Sequence, residues 1–520
     1  MATRTFQPFL LDGITGSGKT EVYFDVIADL LESADDTGQV LVLVPEIALT
    51  PQWLQRFADR FGFTPAVWHS TLGQGARYRT WWNVLEGKAR VVIGARSALF
   101  LPFTDLRLVV VDEEHDSSYK QEDNFRYHGR DMAIVRARLA ACPVVLASAT
   151  PSLETWHHAI TGKYRHLTLH SRHGTAVLPT VRVVNLRETP TPRADEFMAP
   201  PLRAAVAERL EKGEQSLLFL NRRGFAPVVI CRACGHQVQC PSCSATLVVH
   251  GAYLQCHHCG FHEAYPSQCA HCGVADKLVA YGPGTRKILQ EVEALWPTAR
   301  CQVVDRDSVT TPGAMQDVVQ RMEAGEIDIL IGTQMIAKGH HFPGLTLVGV
   351  IDADMGLAHG DLRAAERTFQ LLTQVAGRAG RGEVPGEVFL QTHTPEHPLF
   401  AALAAMDRDK FFRLELDGRK AGGFPPFGRL VALILSGAEE GAVQLAGQAL
   451  ARSLPIEGQG TLYGPAPAPL ARLKDKYRYR LLLQTPLGKQ PHGLVQAWLK
   501  GTPIPKGVRV DVDVDPQSFF

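Results

Sequence analysis

The chain has 520 residues, 45% hydrophobic and 21% charged, with 54 lysines and arginines against 53 acidic residues, a formal net charge of +1. That length excludes a single small module and predicts three or four domains of about 150 residues each; the balanced charge excludes a polycation, so any nucleic-acid surface is a local patch. No stretch approaches the ~18 apolar residues of a spanning helix, and Met1 to Phe9 has neither the apolar core nor the cleavage site of a secretory signal, so the expectation is a cytoplasmic protein without membrane contact, monomeric by default.

Short apolar runs at Phe9–Leu11, Val40–Val44, Val91–Ile93, Leu108–Val111 and Val144–Ala147 alternate with longer mixed segments. Runs that are apolar throughout read as strands buried on both faces and joined by helices, hence a parallel α/β sheet over residues 1–175. A proline-bearing, weakly periodic segment from Arg172 to Pro201 reads as a connector. The strand rhythm resumes at Ser216–Leu220, Val303-Val304, Ile327–Ile331, Leu345–Ile351 and Glu387–Gln391, a second α/β domain over 176–228 and 274–395 interrupted by a cysteine-rich block at 229–273. Beyond it, a helical stretch around Leu399–Leu416, a turn at Gly422–Pro426 and strand-like runs at Leu430–Leu435 and Arg480–Gln484 read as a small α+β domain over 396–520.

Directly after the first strand, Gly13-Ile14-Thr15-Gly16-Ser17-Gly18-Lys19-Thr20 satisfies G-x-x-x-x-G-K-[ST]. Gly13, Gly16 and Gly18, with Ser17, let backbone N–H groups curl around a phosphate, Lys19 reaches the β and γ oxygens, and the Thr20 hydroxyl suits Mg²⁺. The run Leu108–Val111 ends in Asp112-Glu113-Glu114-His115; Asp112 is the candidate Mg²⁺ carboxylate and Glu113 the group that polarises the attacking water. Together they predict an NTPase using ATP and Mg²⁺.

A phosphate loop alone does not separate a motor from a kinase or transporter. In Gln374-Val375-Ala376-Gly377-Arg378-Ala379-Gly380-Arg381, positions 374, 378 and 381 fall at i, i+4 and i+7 on one helical face. Gln374 is a candidate nucleotide contact, and Arg378 and Arg381 are candidate arginine fingers; a solvated basic helix is the plainer alternative. If ATP sits between two such domains, hydrolysis must open and close the cleft, as in a stepping motor. Ser148-Ala149-Thr150 and Gly332–Pro343, with Lys338 as a candidate strand contact, would couple nucleotide to polymer.

Between the carboxylates and Ser148, the segment Tyr119–Arg130 interleaves aromatics with cations. Bases stack on rings while lysine and arginine meet phosphates, which makes Tyr119, Lys120, Phe125, Arg126 and Tyr127 candidate DNA contacts; the alternative is an ordinary loop anchored in a core by its rings. Arg472, Lys474, Lys476, Arg478 and Arg480 form a second basic stretch, read either as one cationic strand face or as simple solvation.

Eight of the ten cysteines form four C-x-x-C pairs, Cys231/Cys234, Cys240/Cys243, Cys256/Cys259 and Cys269/Cys272. Each pair supplies two thiolates of a tetrahedral site, so two structural Zn²⁺ ions are expected. Five residues separate the first two pairs and twelve the second and third. That spacing favours a nested arrangement, with Cys240, Cys243, Cys256 and Cys259 on one ion and the outer four on the other.

The set Gly13–Thr20, Asp112–His115, Ser148–Thr150, Gly332–Pro343 and Gln374–Arg381 resembles superfamily 2 helicases. Asp112–Gln121, the eight-cysteine insertion inside the second lobe, Gly332–Pro343 and Gly464–Pro469 are similar, more narrowly, to the primosomal DNA helicases. The resemblance implies two RecA-like lobes, the same nested zinc pairing, an aromatic-rich DNA-sensing loop at Tyr119–Arg130, and a 3′-to-5′ DNA helicase acting in replication restart and primosome assembly at stalled forks. Implied partners are single-stranded and forked DNA, primosome proteins, the replicative helicase loader and the single-stranded-DNA-binding protein. Members of that family carry a DNA-binding region ahead of the phosphate loop, whereas this sequence reaches Gly13 within a dozen residues; a fragment, a mis-started gene model and a shortened member are the three readings of that, and fork-end recognition is not expected from the residues given. The rival expectation is a zinc-bearing DNA-binding loader with a vestigial ATPase.

Overall fold

The computed structural model describes residues 5–33, 37–45, 51–123, 125–171, 178–193, 196–221, 228–231, 236, 238–241, 247–250, 253–256, 261–281, 284–305, 308, 313–336, 342, 344–357, 361–380, 384–454, 460–489 and 491–518. Lobe 1 comprises β1 (Pro8–Gly13), α1 (Lys19–Glu32), β2 (Gln39–Leu43), α2 (Pro51–Phe61), β3 (Ala66–Trp68), α3 (Gln74–Leu85), β4 (Val91–Gly94), β5 (Leu106–Asp112), the short β6 (Lys120–Gln121) and β7 (Tyr127–His128), α4 (Gly129–Leu139), β8 (Val144–Ser148), α5 (Leu153–Ile160) and β9 (Arg165–Leu169). Seven of the strands make one parallel sheet in the order β3-β4-β2-β5-β8-β1-β9. The apolar runs are buried along their whole length in β2, β4 and β8. Alternate side chains enter opposite cores, Leu41, Val109 and Leu146 on one face and Val40, Val110 and Val145 on the other, the burial pattern a sheet covered on both sides demands. With β5, β8 and β1 adjacent, the strand ends Asp112, Ser148 and Gly13 share one edge of the sheet, where ligands of open α/β folds sit.

Lobe 2 runs β10 (Thr180–Asn185), α6 (Pro200–Glu211), β11 (Gln215–Phe219), then the insertion strands β12 (Val228–Cys231), β13 (Val248–His250), β14 (Tyr253–Gln255), β15 (His262–Ala264) and β16 (Leu278–Tyr281). It resumes with α7 (Thr285–Leu295), β17 (Cys301–Val304), α8 (Ala314–Glu323), β18 (Ile329–Gly332), β19 (Leu345–Val350), α9 (Ala364–Ala376) and β20 (Glu387–Thr392). Its parallel sheet has the order β10-β20-β19-β11-β18-β17. The segment read as a connector therefore contributes an edge strand. Val181 and Val184 are buried in β10 and Val183 is partly buried, three valines in a stretch too short for a period to show in the sequence. The insertion forms a separate antiparallel sheet, β15-β14-β13-β12-β16.

The remaining elements are α10 (Pro398–Ala404), α11 (Arg408–Ala421), β21 (Gly428–Gly437), α12 (Glu440–Ser453), β22 (Thr461–Leu473), β23 (Lys476–Pro486), α13 (Pro491–Gly501) and β24 (Arg509–Val514), with the antiparallel order β22-β23-β21-β24. Leu433, Leu481 and Trp498 belong to a tail core of their own. Helices α10 and α11 instead bury Leu399, Phe400, Phe411 and Phe412 in the core of lobe 2 beside Phe369 and Leu390, and Leu153 and Trp156 of lobe 1 enter that same cluster. Apolar packing thus joins the two lobes, and the same cluster takes in Val375 and Ala376 at the end of α9 and Ala379 just beyond it. No helix among the described residues is long and apolar enough to cross a membrane.

Candidate nucleotide and nucleic-acid site

The loop after β1 has the geometry of a phosphate cradle. Gly16 and Gly18 take φ of 85° and 84°, values that a side chain disfavours, and Ser17 N donates to Ile14 O at 3.1 Å. Lys19 opens α1 and folds back, its Nζ donating to the carbonyls of Gly13 at 2.8 Å and Ile14 at 3.3 Å. The Ser17, Glu113, Thr150 and Thr373 side chains each bury an oxygen with no hydrogen-bond partner among the described residues. Buried oxygens left without a partner in a folded chain call for a polar ligand.

At the end of β5, Asp112 accepts from the Tyr23 hydroxyl at 3.1 Å, and that hydroxyl accepts from Trp53 Nε1 at 3.0 Å. Burial, then the neighbouring Glu113 charge, push the Asp112 carboxyl up to about 6, against the pull of Lys19 and the Tyr23 hydrogen bond. Glu113 itself sits at φ 47°, a conformation that costs a non-glycine residue free energy and recurs at functional sites. Glu114 turns away from the cleft: it is fully buried, accepting from Ser152 N at 2.7 Å and Thr155 Oγ1 at 3.0 Å, with Arg130 Nη1 at 3.2 Å.

Lobe 2 closes on this edge. A Cβ built on Gly377 would lie 2.9 Å from the Thr15 side chain, so the glycine lets the end of α9 touch the phosphate loop. The Gln374 amide nitrogen lies 2.6 Å from His115 Nε2, and His115 Nδ1 lies 2.7 Å from Ser148 Oγ, which links the two lobes through the strand ends of β5 and β8. Arg378 is buried; its pKa is pushed down to about 10 by desolvation, with the Glu113 charge acting the other way. The predicted groups Lys19, Asp112, Glu113, Gln374 and Arg378 are therefore gathered at one cleft. Arg381 and Lys338 lie outside the described residues.

Several residues that frame the cleft carry no local sequence signal. Arg408, at the start of α11, grips Asp12 with both terminal nitrogens at 2.5 and 2.8 Å and donates to Ala149 O at 3.2 Å. Arg363 pairs with Glu154 at 2.5 Å, and Arg419 with Glu366 at 2.7 Å, while Leu153 N donates to Glu366 Oε1 at 2.9 Å. These buried pairs cross from lobe 1 to lobe 2 and to α11. Only the fold brings them together, so no motif spacing announces them.

The aromatic segment divides. Tyr119 is buried, its hydroxyl donating to Asp112 O at 2.6 Å and Leu43 O at 3.1 Å. Lys120 is buried too, in an ion pair with Asp513 of β24 at 2.6 Å. Neither faces a strand from outside, which corrects their reading as DNA contacts: the ring serves as the core anchor of the alternative reading, and the ammonium neutralises an otherwise buried carboxylate. Phe125, by contrast, is 72% exposed. Beside it, Tyr127 is largely buried, in edge contact with Phe100 at 5.3 Å between ring centres. Arg126 donates to Glu122 O at 3.0 Å.

In the insertion, Cys240 and Cys256 are buried in one small cluster with Val229, Leu247 and Leu254. Cys269 is buried and Cys272 exposed, and the His236 ring stacks on that of His271 at 5.2 Å, bringing the flanks of the first and last pairs together. The side chains of Cys231, Cys234, Cys243 and Cys259 lie outside the described residues, and no group of three or more ligating side chains gathers among the described ones.

Residues 4–158 match the DEAD/DEAH box helicase family, 276–383 the helicase conserved C-terminal domain, and 420–517 the primosomal protein N C-terminal domain. The chain is 44% identical over 516 residues to the replication restart protein PriA of Rickettsia felis, covering 99% of this chain and 79% of that protein. To the replication restart protein PriA of Bacillus subtilis it is 41% identical over 519 residues, covering 98% and 64%. Among solved structures it is similar, with a TM-score of 0.45 and 15% identity, to the DUF1998 helicase MrfA bound to DNA, over 78% of this chain and 49% of that one. A match at this identity over 99% of this chain and 79% of the Rickettsia felis protein, carried by both motor lobes and by the tail, makes the chain a member of the replication restart protein PriA family.

Proposed function

We propose that the chain is an ATP-dependent DNA helicase of replication restart, moving 3′ to 5′ as the family resemblance implies and acting on single-stranded and forked DNA during primosome assembly. The observation that carries this reading is the cleft itself: Gly377 against Thr15 and Gln374 against His115 place the α9 end over the phosphate loop. Lys19 and the N–H groups from Gly16 to Thr20 would hold the phosphates; Asp112 and Thr20 would hold Mg²⁺, which neutralises phosphate charge when bound. Glu113 orients and deprotonates the attacking water, and its positive φ aims the carboxylate off the strand toward the cleft. Arg378, already desolvated, offers a fixed positive charge where negative charge accumulates on the γ-phosphate; Arg381 is assigned the companion role by its place in the motif.

Because Gln374 and Arg378 come from one lobe and Lys19 from the other, cleavage and product release loosen the contact across the cleft. His115 and Ser148 extend that contact along the sheet edge toward Thr150, the route by which nucleotide state would reach the strand. For the insertion, the shared burial of Cys240 with Cys256 and the approach of His236 to His271 support two structural Zn²⁺ ions in the nested arrangement. Primosome proteins, a helicase loader and a single-stranded-DNA-binding protein are proposed partners by family resemblance. A loader with a vestigial ATPase would not need Glu113 and Arg378 on one cleft. Measuring ATP hydrolysis with and without single-stranded DNA tests the proposal: strong stimulation is expected, abolished by Lys19→Ala with zinc content unchanged, and hydrolysis indifferent to DNA would refute it.

A further inference from the structure

The tail sheet buries one face beneath its helices, with Leu433, Leu435, Tyr479, Leu481 and Leu483 in that core. Residues directly opposite one another in an antiparallel pair share a face. The register therefore sets Arg478, Ser436 and Arg509 in one row of the other face, Arg480, Ile434 and Asp511 in the next, and Leu482, Ala432 and Asp513 in a third. That face meets lobe 1: the Lys120 ammonium, at the base of the aromatic loop, donates to Asp513 at 2.6 Å and to Val514 O at 3.2 Å. The loop between β6 and β7, with Phe125 and Arg126, thus projects beside the rows that hold Arg478 and Arg480.

Both of those arginines are half-buried, and neither has a hydrogen-bond or ion-pair partner among the described residues. The nearby carboxylates are already engaged. Asp511 is held by Arg509 at 2.7 Å; Asp361 of lobe 2 is held by Arg367 at 3.1 Å and by the Arg363 backbone N–H at 2.9 Å. Arg126 buries its Nη1 without a partner, and its charge depresses the pKa of Arg478, as does burial, the larger cause. The Arg126 Nε donates to Glu122 O and its Nη1 to nothing; guanidinium nitrogens brought together, partly desolvated and without acceptors raise the free energy of the folded chain unless an anion joins them. Phosphate is the anion that matches the planar guanidinium fork, and the exposed Phe125 ring beside them is a stacking surface for a base.

We propose that Arg126, Arg478 and Arg480 grip successive backbone phosphates of a single DNA strand that stacks a base on Phe125, so that the strand passes between the lobe 1 loop and the tail sheet. The proposal rests on the helicase reading and names where in the tail the polymer is held. Tail and lobe 1 then hold the strand jointly, and any shift of the loop is felt at a second point of attachment.

The test uses the full chain and a fluorescein-labelled oligo(dT), with affinity measured across a series of NaCl concentrations. Each phosphate contact to a single strand contributes about −0.7 to the slope of log affinity against log salt. Arg478→Ala with Arg480→Ala should therefore flatten that slope by about 1.4 and weaken binding at low salt, Lys replacements at both positions should restore most of the slope, and Phe125→Ala should weaken binding with the slope unchanged. A double alanine variant with wild-type slope and affinity overturns the proposal. So does a loss that lysine fails to rescue and that comes with a lowered melting temperature, since that marks a structural role. Failure of the unaltered chain to bind oligo(dT) would instead take down the helicase reading, and this proposal with it.

Discussion

Arg408 and Asp12 form a two-pronged ion pair at 2.5 and 2.8 Å between the first turn of α11 and the strand that leads into the phosphate loop. Asp12 is almost completely buried, and its other partner is His166 Nε2 at 3.0 Å. Removing one member of a buried pair leaves a charge without compensation, at a cost of roughly 3–5 kcal/mol. Arg408 keeps about a fifth of its side chain in solvent, so Arg408→Ala should lower stability by about 3 kcal/mol in urea unfolding. Adding Asp12→Asn should recover part of the loss. A single variant as stable as the wild type would show that the clasp contributes nothing.

Asp112 makes the nucleotide-free protein sensitive to pH. Its carboxyl is raised from an ordinary 3.8 to about 6, so the folded chain binds this proton more tightly than the unfolded chain does. The stabilisation is fully present below pH 3.8 and is lost as pH rises through about 6. Asp112→Asn, neutral at every pH, should therefore melt above the wild type at pH 7.5, with the difference vanishing near pH 4, while hydrolysis is abolished. Equal melting temperatures at pH 7.5 would contradict the buried charge.

Arg378 should matter to turnover and little to ground-state binding. An arginine acting on transition-state charge contributes about 10³ to 10⁵ in rate. Arg378→Ala is expected to bind a fluorescent ATP analogue with near wild-type affinity and to hydrolyse ATP at least about a thousandfold more slowly. A matching loss of binding would assign the residue to nucleotide capture instead.

The nested zinc scheme makes a distinctive demand. Elemental analysis should find two zinc ions per chain; Cys240→Ser and Cys256→Ser, singly or together, should each leave one, whereas Cys240→Ser combined with Cys269→Ser should leave none. Loss of both ions in the Cys240/Cys256 pair would point to ligands shared differently. Chelation should unfold the insertion first, because metal binding of about 10–16 kcal/mol far exceeds what its small core supplies.

What the sequence reveals depends on how far apart the interacting residues lie. The phosphate loop, the carboxylates of β5 and the buried strands are local patterns, each dictated by a turn, a strand end or a hydrophobic run, and they are legible. The approach of Gln374 to His115 and of Arg378 to Glu113 follows from helical spacing plus the logic of a shared ligand. Asp12 with Arg408, and Glu366 with Arg419 and Leu153, are fixed by how three units dock, and residue order holds no trace of that. Tyr119 and Lys120 show the converse limit: alternation of rings and cations looks the same whether the segment covers a core or faces solvent. Phe125 is exposed two residues before the buried Tyr127, a distinction set by the tight β6–β7 ribbon and invisible in composition.

The pair between Lys120 and Asp513 spans 393 positions. A ribosome making this chain delivers the lysine long before its counterpart, and the ammonium at the root of the aromatic loop has to wait through the synthesis of both motor lobes and nearly all of the tail. The finished molecule therefore locks that loop with a strand synthesised 393 positions later, and a product terminated before Asp513 would carry both walls of the ATP cleft with the Lys120 ammonium lacking its carboxylate.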